Sequence, residues 1–271
     1  MRKAVTIAVG IILFLPGMLM TVSCKSQFEA LLDSPYTEDK YKAAFELFEK
    51  KRYSKAAQMF ESVSLATNGT PQDDTVQFYI GYCNYCYGDY TTAESNLDHF
   101  ISVFPLSPFT EKAKYLHLDC LYRGTYRYEL DQVPTRKAIV TMRSFLLDNP
   151  ESEYIPKIQE MLDDLNGRLE LKAYKSAYLY YHMEDYLASH YALKNVLKEN
   201  ADNRYREEIL YYIAMSSYKY ASLSVMEKQR ERYLVFVDDY LNMVSEYPDS
   251  QFTKDLGPYY EKTQKILKKS E

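Results

Sequence analysis

Pairs of aromatic residues spaced seven positions apart recur five times along the chain. The pairs are Tyr41/Phe48, Phe78/Tyr85, Tyr115/Tyr122, Tyr174/Tyr181 and Tyr211/Tyr218. Their first members are separated by 37, 37, 59 and 37 residues, and a small residue lies three positions after the first aromatic in four of the five pairs. Because seven residues complete two helical turns, both members of a pair lie on one helix face. The small residue lets a neighbouring helix approach closely, so the pattern predicts a helical repeat with one insertion.

Each unit also contains a second helical pattern, an aromatic residue followed by a small residue three positions on and a bulky residue four further. Tyr53, Ala56 and Phe60 form the clearest example. This spacing places a knob beside an antiparallel partner helix, as in tetratricopeptide repeats. It predicts an all-α fold, a right-handed α-solenoid of about five tetratricopeptide-like helix pairs with a C-terminal capping helix. The predicted solenoid covers 37–271, with units at 37–70, 71–106, 107–151, 152–201 and 202–250 and the capping helix at 252–270.

The junctions between units repeat as well. They are Pro105-x-Ser107-x-Phe109, Pro150-x-Ser152-x-Tyr154 and Pro248-x-Ser250-x-Phe252, with Ala201-x-Asn203-x-Tyr205 as a weaker copy. Proline cannot continue a helix, and a Ser or Asn two residues later is predicted to cap the next one.

Residues 1–23 are predicted to be a targeting segment rather than part of the fold. Two basic residues precede an apolar run over residues 4–20, which is too short and too early for a reliable membrane span. The junction Thr21-Val22-Ser23-Cys24 indicates a bacterial lipoprotein signal, cleaved before Cys24, which then carries the lipid. Residues 24–36 are predicted to form a lipidated tether. An ordinary secretory signal, with Cys24 incidental, is the alternative.

The residues after Cys24 bear on which membrane face the domain occupies. They lack the acidic cluster that resembles a surface-export tag in some lipoproteins of Bacteroidetes-like bacteria. By that resemblance the domain is predicted to be lipid-anchored at the periplasmic face of the outer membrane.

Composition argues against nucleic-acid binding and against catalysis. Without Arg2 and Lys3 the mature chain has 31 basic and 38 acidic residues, a net charge of −7, and no basic stripe suited to a nucleic acid. No phosphate loop, nucleophile elbow or catalytic carboxylate pair is recognisable. The sequence therefore predicts a non-enzymatic protein with no catalytic residues and no cofactor.

Three cysteines and a histidine supply the residue types of a zinc site. Cys83 and Cys86, and His117 and Cys120, are each spaced three apart on predicted helices. Cys83 and Cys120 hold the same place in neighbouring repeats, where stacked helices keep their backbones about 8–10 Å apart. His117 takes the place of the apolar Ile80. Buried thiols are expected and no metal site is predicted, while a disulfide in an oxidising compartment stays open.

The chain has 29 tyrosines and no tryptophan. These tyrosines either fill the spaces between helices or line the groove formed by the first helices of the units, where a ring with a polar tip suits a wet surface. Leading aromatics such as Phe78 and Tyr115 are expected mostly to pack. For Tyr82, Tyr85, Tyr178 and Tyr181, packing and groove lining are weighted equally.

Five segments, in order along the mature chain, resemble the BamD family. They are Phe28-Glu29-Ala30-Leu31-Leu32 after Cys24, the insertion from Glu129 to Ala138, Asn195-Val196-Leu197, Ala221-Ser222-Leu223-Ser224 and the run from Lys228 to Tyr233. The resemblance implies a lipoprotein subunit of the machinery that assembles outer-membrane β-barrels. Such a subunit is expected to hold the periplasmic domains of a BamA-like barrel subunit and to recruit unfolded outer-membrane proteins.

The resemblance also suggests where two partners bind. Unfolded substrates, with alternating apolar side chains, are expected in a groove centred on units one and two. The candidate groove residues are Phe45, Phe48, Phe78, Tyr82, Tyr85 and Tyr122. The barrel subunit is expected at insertions in units three to five, unless those insertions merely lengthen helices. The candidate docking residues are Glu129, Asp131, Met226, Lys228, Arg230 and Arg232.

Two other functions stay open at this point. Helical-repeat lipoproteins of glycan-uptake systems bind oligosaccharides, although they resemble larger chains with tryptophan platforms. A general periplasmic scaffold tied to cell-wall assembly is the second alternative.

Overall fold

The computed structural model of this protein describes residues 27–269, so the predicted signal peptide and Cys24 lie outside the described residues. Within that range the chain forms twelve α-helices and no strand. The helices are α1 (Gln27–Leu32), α2 (Thr37–Glu49), α3 (Tyr53–Thr67), α4 (Asp73–Tyr87), α5 (Tyr90–Val103), α6 (Thr110–Arg123), α7 (Val133–Asp148), α8 (Ile155–His182), α9 (Tyr186–Glu199), α10 (Arg206–Ser222), α11 (Met226–Glu246) and α12 (Gln251–Lys269). None of these twelve combines the length and the apolar character needed to cross a bilayer.

Consecutive helices pack in pairs, α2 with α3, α4 with α5, α6 with α7, α8 with α9 and α10 with α11, and α12 closes the stack against α10 and α11. The first helices also contact one another, α4 with α6, α8 with α10 and α10 with α12. This layering is that of a repeat solenoid, so the predicted all-α repeat fold is confirmed. The first helices form one wall, and the second helices lie behind it.

Part of the segment predicted to be a tether is helical. Helix α1 occupies six of the residues from 24 to 36, and Phe28, Leu31 and Leu32 pack against the apolar cluster of the first unit. Three apolar side chains in a short segment explain why it docks instead of remaining free.

One ring contact recurs at every junction from α4 onward. The leading aromatic of a first helix lies against the junction aromatic at the start of the next unit, which directly precedes α6, α8 or α10 or is the second residue of α12. The pairs and their ring-centroid distances are Phe78/Phe109 at 4.6 Å, Tyr115/Tyr154 at 4.3 Å, Tyr174/Tyr205 at 5.4 Å and Tyr211/Phe252 at 4.9 Å. The two sequence patterns, paired aromatics and junction motifs, are therefore the two halves of one contact.

Ser250 caps α12 as predicted, because it directly precedes the helix and its Oγ accepts the backbone N–H of Phe252 at 3.1 Å. Ser107 and Ser152 do not cap their helices. Ser107 Oγ accepts a hydrogen bond from the backbone N–H of Phe109 at 3.3 Å, and Phe109 is itself the residue that precedes α6. Ser152 makes the same contact with Tyr154. The hydroxyl therefore closes a turn ahead of the helix and fixes the aromatic residue at the position where it stacks.

The long step between the third and fourth aromatic pairs comes mainly from α8, which has 28 residues. Tyr174 is its twentieth residue, whereas Tyr115 is the sixth residue of α6, so α8 contains 14 additional residues before the aromatic pair. At 1.5 Å per residue this is about 21 Å of helix. The first half of α8 packs against α6 and α7 through Ile158 and Leu165, while the second half joins the C-terminal cluster through Tyr174 and Ala177.

Removing one stacked ring tests how much the junction contact stabilises the solenoid. Phe78 is 1% exposed, so Phe78→Ala is expected to lower the free energy of unfolding by about 3–5 kcal/mol through lost burial and an unfilled cavity. The measurement is urea denaturation followed by circular dichroism. Tyr87→Ala, at an exposed position of the same helix, is the control and should change stability by about 0.5 kcal/mol at most. Equal effects of the two substitutions would contradict the stacking role.

Candidate functional site

Four half-buried aromatic side chains meet between α2 and α4. Phe45 and Tyr79 have ring centroids 4.8 Å apart, Phe48 and Tyr79 are 5.1 Å apart, and Phe48 and Tyr82 are 5.2 Å apart. We refer to Phe45, Phe48, Tyr79 and Tyr82 as the N-terminal aromatic face. Three of its four members are candidate groove residues from the sequence, and each leaves part of its ring accessible.

Tyr79 is central to this face although the sequence analysis did not select it. Its ring also packs against Phe60 and Phe109, which connects the face to the core. The available signal was its spacing, because Tyr79 precedes Tyr82 by three residues just as Phe45 precedes Phe48. Lys112 Nζ lies 4.1 Å from the Tyr82 ring centroid and adds a cation to the edge of the face.

Phe78 does not belong to the groove, which corrects the sequence-based assignment. Its side chain is 1% exposed and is enclosed by Phe100 and the stacked Phe109. The leading position of the pair points into the junction, and the accessible face begins one residue later in the helix.

Tyr85 and Tyr122 use their hydroxyl groups to join consecutive first helices. Tyr85 Oη donates to Asp119 at 2.6 Å, and Tyr122 Oη donates to Asp164 at 2.9 Å. Each aspartate also pairs with an arginine one turn on, Arg123 and Arg168 respectively. Burial raises the pKa of Tyr85, and the hydrogen bond to Asp119 raises it further. Both tyrosines are therefore half-buried structural donors, and neither belongs to the ring cluster around Tyr79.

A second aromatic cluster lies between α8 and α10. Tyr212 has ring-centroid distances of 4.6 Å to Tyr178 and 5.0 Å to Tyr181, and Tyr186 lies 5.4 Å from Tyr181. Burial raises the pKa of Tyr181 to about 12. From the sequence, packing between helices and lining of the groove were equally expected for Tyr178 and Tyr181. In the structure both side chains are half-buried.

The candidate docking residues Glu129 and Asp131 are exposed in the loop 124–132, which α8 holds in place. Lys172 Nζ donates to the carbonyl oxygens of Tyr128 at 3.0 Å and Leu130 at 2.8 Å. Since these contacts fix the backbone, the loop presents its side chains from a defined position.

The other four docking candidates lie at the start of α11. Met226 is 85% exposed, and Lys228 and Arg230 are also exposed. Arg232 differs from them, because its guanidinium lies 4.1 Å from the ring centroid of Tyr220 and bonds to Ser224 Oγ. The six candidates thus occupy two places, one anchored on α8 and one on α10.

A cavity of about 290 Å³ opens beside the start of α11, between α9, α10 and α11. Its mouth includes the exposed apolar side chains of Leu187, Tyr191 and Val235, with Arg232 at the polar side. The sequence did not indicate these three residues, because each continues an ordinary helical pattern and exposure depends on packing across three helices.

A partly buried ion-pair network adjoins this cavity through His190, which lines it. Asp239 is 6% exposed and accepts from His190 Nε2 at 2.8 Å and from Lys194 Nζ at 2.9 Å. Burial alone raises the pKa of Asp239, but the hydrogen bonds and charge of His190, with bonds from Lys194 and Ser217, lower it overall. Asp239 therefore stabilises the folded state in its ionised form.

Cys83 and Cys120 are buried in separate places, and Cys86 is half-buried on the same helix as Cys83. Cys83 belongs to the apolar cluster of the first unit and Cys120 to that of the second. Burial raises the pKa of each to about 12, which keeps both as thiols near neutral pH. Across residues 27–269, no three His, Cys, Asp or Glu side chains are grouped to hold a metal ion.

Comparison with known proteins identifies the family. The model of the family described as "YfiO: Outer membrane lipoprotein" matches residues 34–233, which is 200 of the 271 residues. This chain belongs to the YfiO family. The match runs from the end of α1 into α11, so it includes both aromatic clusters, the loop 124–132 and the docking candidates at the start of α11. This match and the curated relative described next confirm the resemblance to the BamD family that was inferred from the sequence.

A curated relative carries the name "Outer membrane protein assembly factor BamD" and comes from Caulobacter vibrioides (strain ATCC 19089 / CIP 103742 / CB 15). It is 26% identical over 131 residues, which are 48% of this chain and 43% of the relative, so the match spans less than half of that protein's length. Among solved structures, a thermophilic TPR protein of Thermus thermophilus aligns with 16% identity and a TM-score of 0.33 over 84% of this chain and 99% of that one.

The ion-pair network predicts a specific pH dependence of stability. The folded-state pKa of Asp239 lies below its unfolded value of about 3.9, so its contribution is present above that value and is lost as pH falls through the folded-state pKa. Asp239→Asn should lower the free energy of unfolding at pH 7 by about 1–3 kcal/mol. Urea denaturation at pH 7 and near pH 3 measures this, and the difference should shrink at the lower pH. Asp238→Asn, at the exposed neighbouring position, is the control. A difference between wild type and Asp239→Asn that is the same at both pH values would contradict the role of the ionised carboxylate.

Proposed function

We propose that this protein is a non-enzymatic lipoprotein scaffold of the machinery that assembles β-barrel proteins in the outer membrane. It docks the periplasmic domains of a BamA-like barrel subunit and recruits unfolded outer-membrane proteins. Acylated Cys24 anchors it at the periplasmic face of the outer membrane. Membership of the YfiO family of outer-membrane lipoproteins is the observation that carries the proposal, and the name of the Caulobacter relative supports it.

The N-terminal aromatic face is the proposed site for unfolded substrates. Its four rings are half-buried, so they are held by packing while leaving apolar surface for a ligand. An extended segment with alternating apolar side chains can lay those side chains against the rings without matching one sequence. Tyr79 adds a hydroxyl group for the backbone of the segment, whereas the Tyr82 hydroxyl bonds to Cys86. Tyr85 and Tyr122 serve as hydrogen-bonded supports of the wall in this proposal, since their hydroxyl groups are already engaged.

The C-terminal units are the proposed docking site for the barrel subunit. The exposed side chains at the start of α11 adjoin a cavity with an apolar mouth, a combination suited to an anchoring side chain surrounded by polar contacts. The loop 124–132, fixed by Lys172, supplies a second contact region with exposed Glu129 and Asp131.

Photocrosslinking distinguishes the substrate face from the rest of the solenoid. A photoreactive phenylalanine analogue at position 48 or 82 is expected to label a peptide with the sequence of a C-terminal outer-membrane β-strand. The same analogue at the exposed position 87 of α4 is the control and should label weakly. Tyr79→Ala should reduce peptide affinity about 10-fold or more, because it removes the ring that joins the face. Labelling confined to units four and five would reject this assignment.

Substitutions at the start of α11 test the docking site. Met226→Asp combined with Arg230→Glu changes two exposed side chains, so the fold should persist while co-purification of the BamA-like subunit falls by about 10-fold or more. Lys254→Glu with Lys265→Gln, at exposed positions of α12, is the control. Unchanged co-purification by the first pair would count against docking at this surface.

A further inference from the structure

The turn before α3 can be compared with the turns before α5 and α9, which have the same form. Each contains one residue with positive φ followed by the N-cap residue of the second helix. The positive-φ residues are Lys51 at 57°, Gly88 at 95° and Glu184 at 63°. The N-cap residue then donates its backbone N–H to a carbonyl five residues back, as Arg52 does to Leu47 at 2.8 Å. Because the backbone is shared, differences in residue type at these two positions are informative.

The first turn carries unfavourable residue types at both positions. Asp89 and Asp185 cap α5 and α9 by accepting a backbone N–H three residues on, at 3.1 Å in each case. Arg52 makes no such side-chain bond to α3. Lys51 occupies the left-handed region that favours glycine, which Gly88 supplies in the second unit. Glu184 also departs from glycine, but its turn keeps the aspartate cap. Of these three turns, only the first has neither glycine at the positive-φ position nor aspartate at the N-cap. It has a lysine and an arginine there instead, and both carry positive charge.

The neighbouring residues enlarge this positive charge. Lys50 precedes the pair and Lys55 lies one helical turn later, and all four side chains are exposed. We refer to Lys50, Lys51, Arg52 and Lys55 as the basic turn. Within residues 27–269, Lys51 and Arg52 have no ion pair or side-chain hydrogen bond, and Lys50 pairs with the exposed Glu46 at 3.4 Å. The charges of Lys51 and Arg52 are therefore available to a partner, on a mature chain whose net charge is −7.

The basic turn adjoins the helix closest to the N-terminus. Lys55 Nζ lies 4.9 Å from the ring centroid of Phe28 in α1. Helix α1 begins at Gln27, three residues after Cys24, and three residues span about 11 Å at most. This distance is comparable to the screening length of about 8–10 Å at physiological ionic strength. If Cys24 is acylated, as in the proposed function, α1 and the Lys55 ammonium packed on Phe28 lie close to the lipid headgroups, and the other three basic residues adjoin Lys55 in sequence.

We propose that the basic turn binds anionic phospholipid headgroups and so holds the first unit against the membrane. The position of the turn rests on the proposed acylation, whereas its affinity for an anionic surface does not. A solenoid fixed at two places, by a lipid and by a charged turn, keeps one orientation of its aromatic wall relative to the bilayer. A lipid alone would leave the domain free to rotate about its attachment.

Vesicle sedimentation of the mature chain with Cys24→Ser measures the contribution of the turn without the lipid. This chain, residues 24–271, retains all four apolar clusters, whose buried members lie between Ala44 and Leu256. The test variant is Lys51→Gly with Arg52→Asp, which installs the residue pair of the second unit's turn. The control is Lys254→Glu with Lys265→Gln, which makes the same net charge change of −3 in α12. Vesicles of phosphatidylcholine with and without about 30% phosphatidylglycerol, close to a natural anionic fraction, are the probes.

The wild-type sequence should bind the anionic vesicles in a salt-sensitive manner and the neutral vesicles weakly. The test variant should lose on the order of a hundredfold in partition coefficient, since three charge units are changed near the surface. Its melting temperature should equal or exceed that of wild type, because glycine and aspartate suit the turn, and this separates lost binding from lost folding. The control should bind as wild type does. Equal binding of wild type to both vesicle types, undiminished binding of the test variant, or an equal loss in the control would each overturn the proposal. Mass spectrometry of the membrane-bound protein tests acylation separately.

Discussion

The stacking of each leading aromatic on the next junction aromatic is the contact on which the rest of the solenoid depends. It joins one first helix to the start of the following first helix, as in Phe78 with Phe109 and Tyr115 with Tyr154. The junction serine fixes the second ring by bonding to its backbone N–H. Because these rings are used inside the junction, the aromatic wall surface is formed by other residues of the first helices, such as Tyr79 and Tyr82, which stay half-buried.

The length of α8 separates the solenoid into two parts with different surfaces. Its additional 14 residues, about 21 Å of helix, let one continuous element serve the third unit and then the fourth. The N-terminal aromatic face belongs to the first part, and the cavity beside α11 belongs to the second. Since the two surfaces share no residue, the proposed substrate and the proposed barrel subunit could be held at the same time. The loop 124–132 is bonded to α8 itself, so it is fixed relative to the connection between the parts.

Much of this fold could be predicted from sequence because two separate patterns, the aromatic pairs and the junction motifs, indicate the same repeat. The insertion expected at residues 129–138 accounts for only part of the additional length, and 14 further residues lie in α8. These were not predicted, since a helix that continues for four more turns has the same periodicity as one that stops and restarts. Phe78 was assigned to the groove wrongly because phenylalanine suits a junction and a wall equally, and only packing separates Phe78 from the accessible Tyr79 beside it. The sequence also did not indicate the apolar mouth of the cavity, formed by Leu187, Tyr191 and Val235. A cavity between three helices depends on contacts between residues that are distant in sequence. The basic turn became informative only when its backbone could be matched to two others.

The first unit differs from the second and fourth units in the residue at the N-cap of its second helix. In the second and fourth units the turn into the second helix is capped by aspartate, whereas the first unit has arginine there.

Depleting the protein from cells and quantifying folded outer-membrane β-barrel proteins by their heat-modifiable gel mobility is the most direct test of the proposed scaffold role. Folded barrel proteins should decline and unfolded precursors should accumulate in the periplasm, with recovery when the wild-type chain is restored. Unchanged levels of folded barrel proteins after complete depletion would contradict that role.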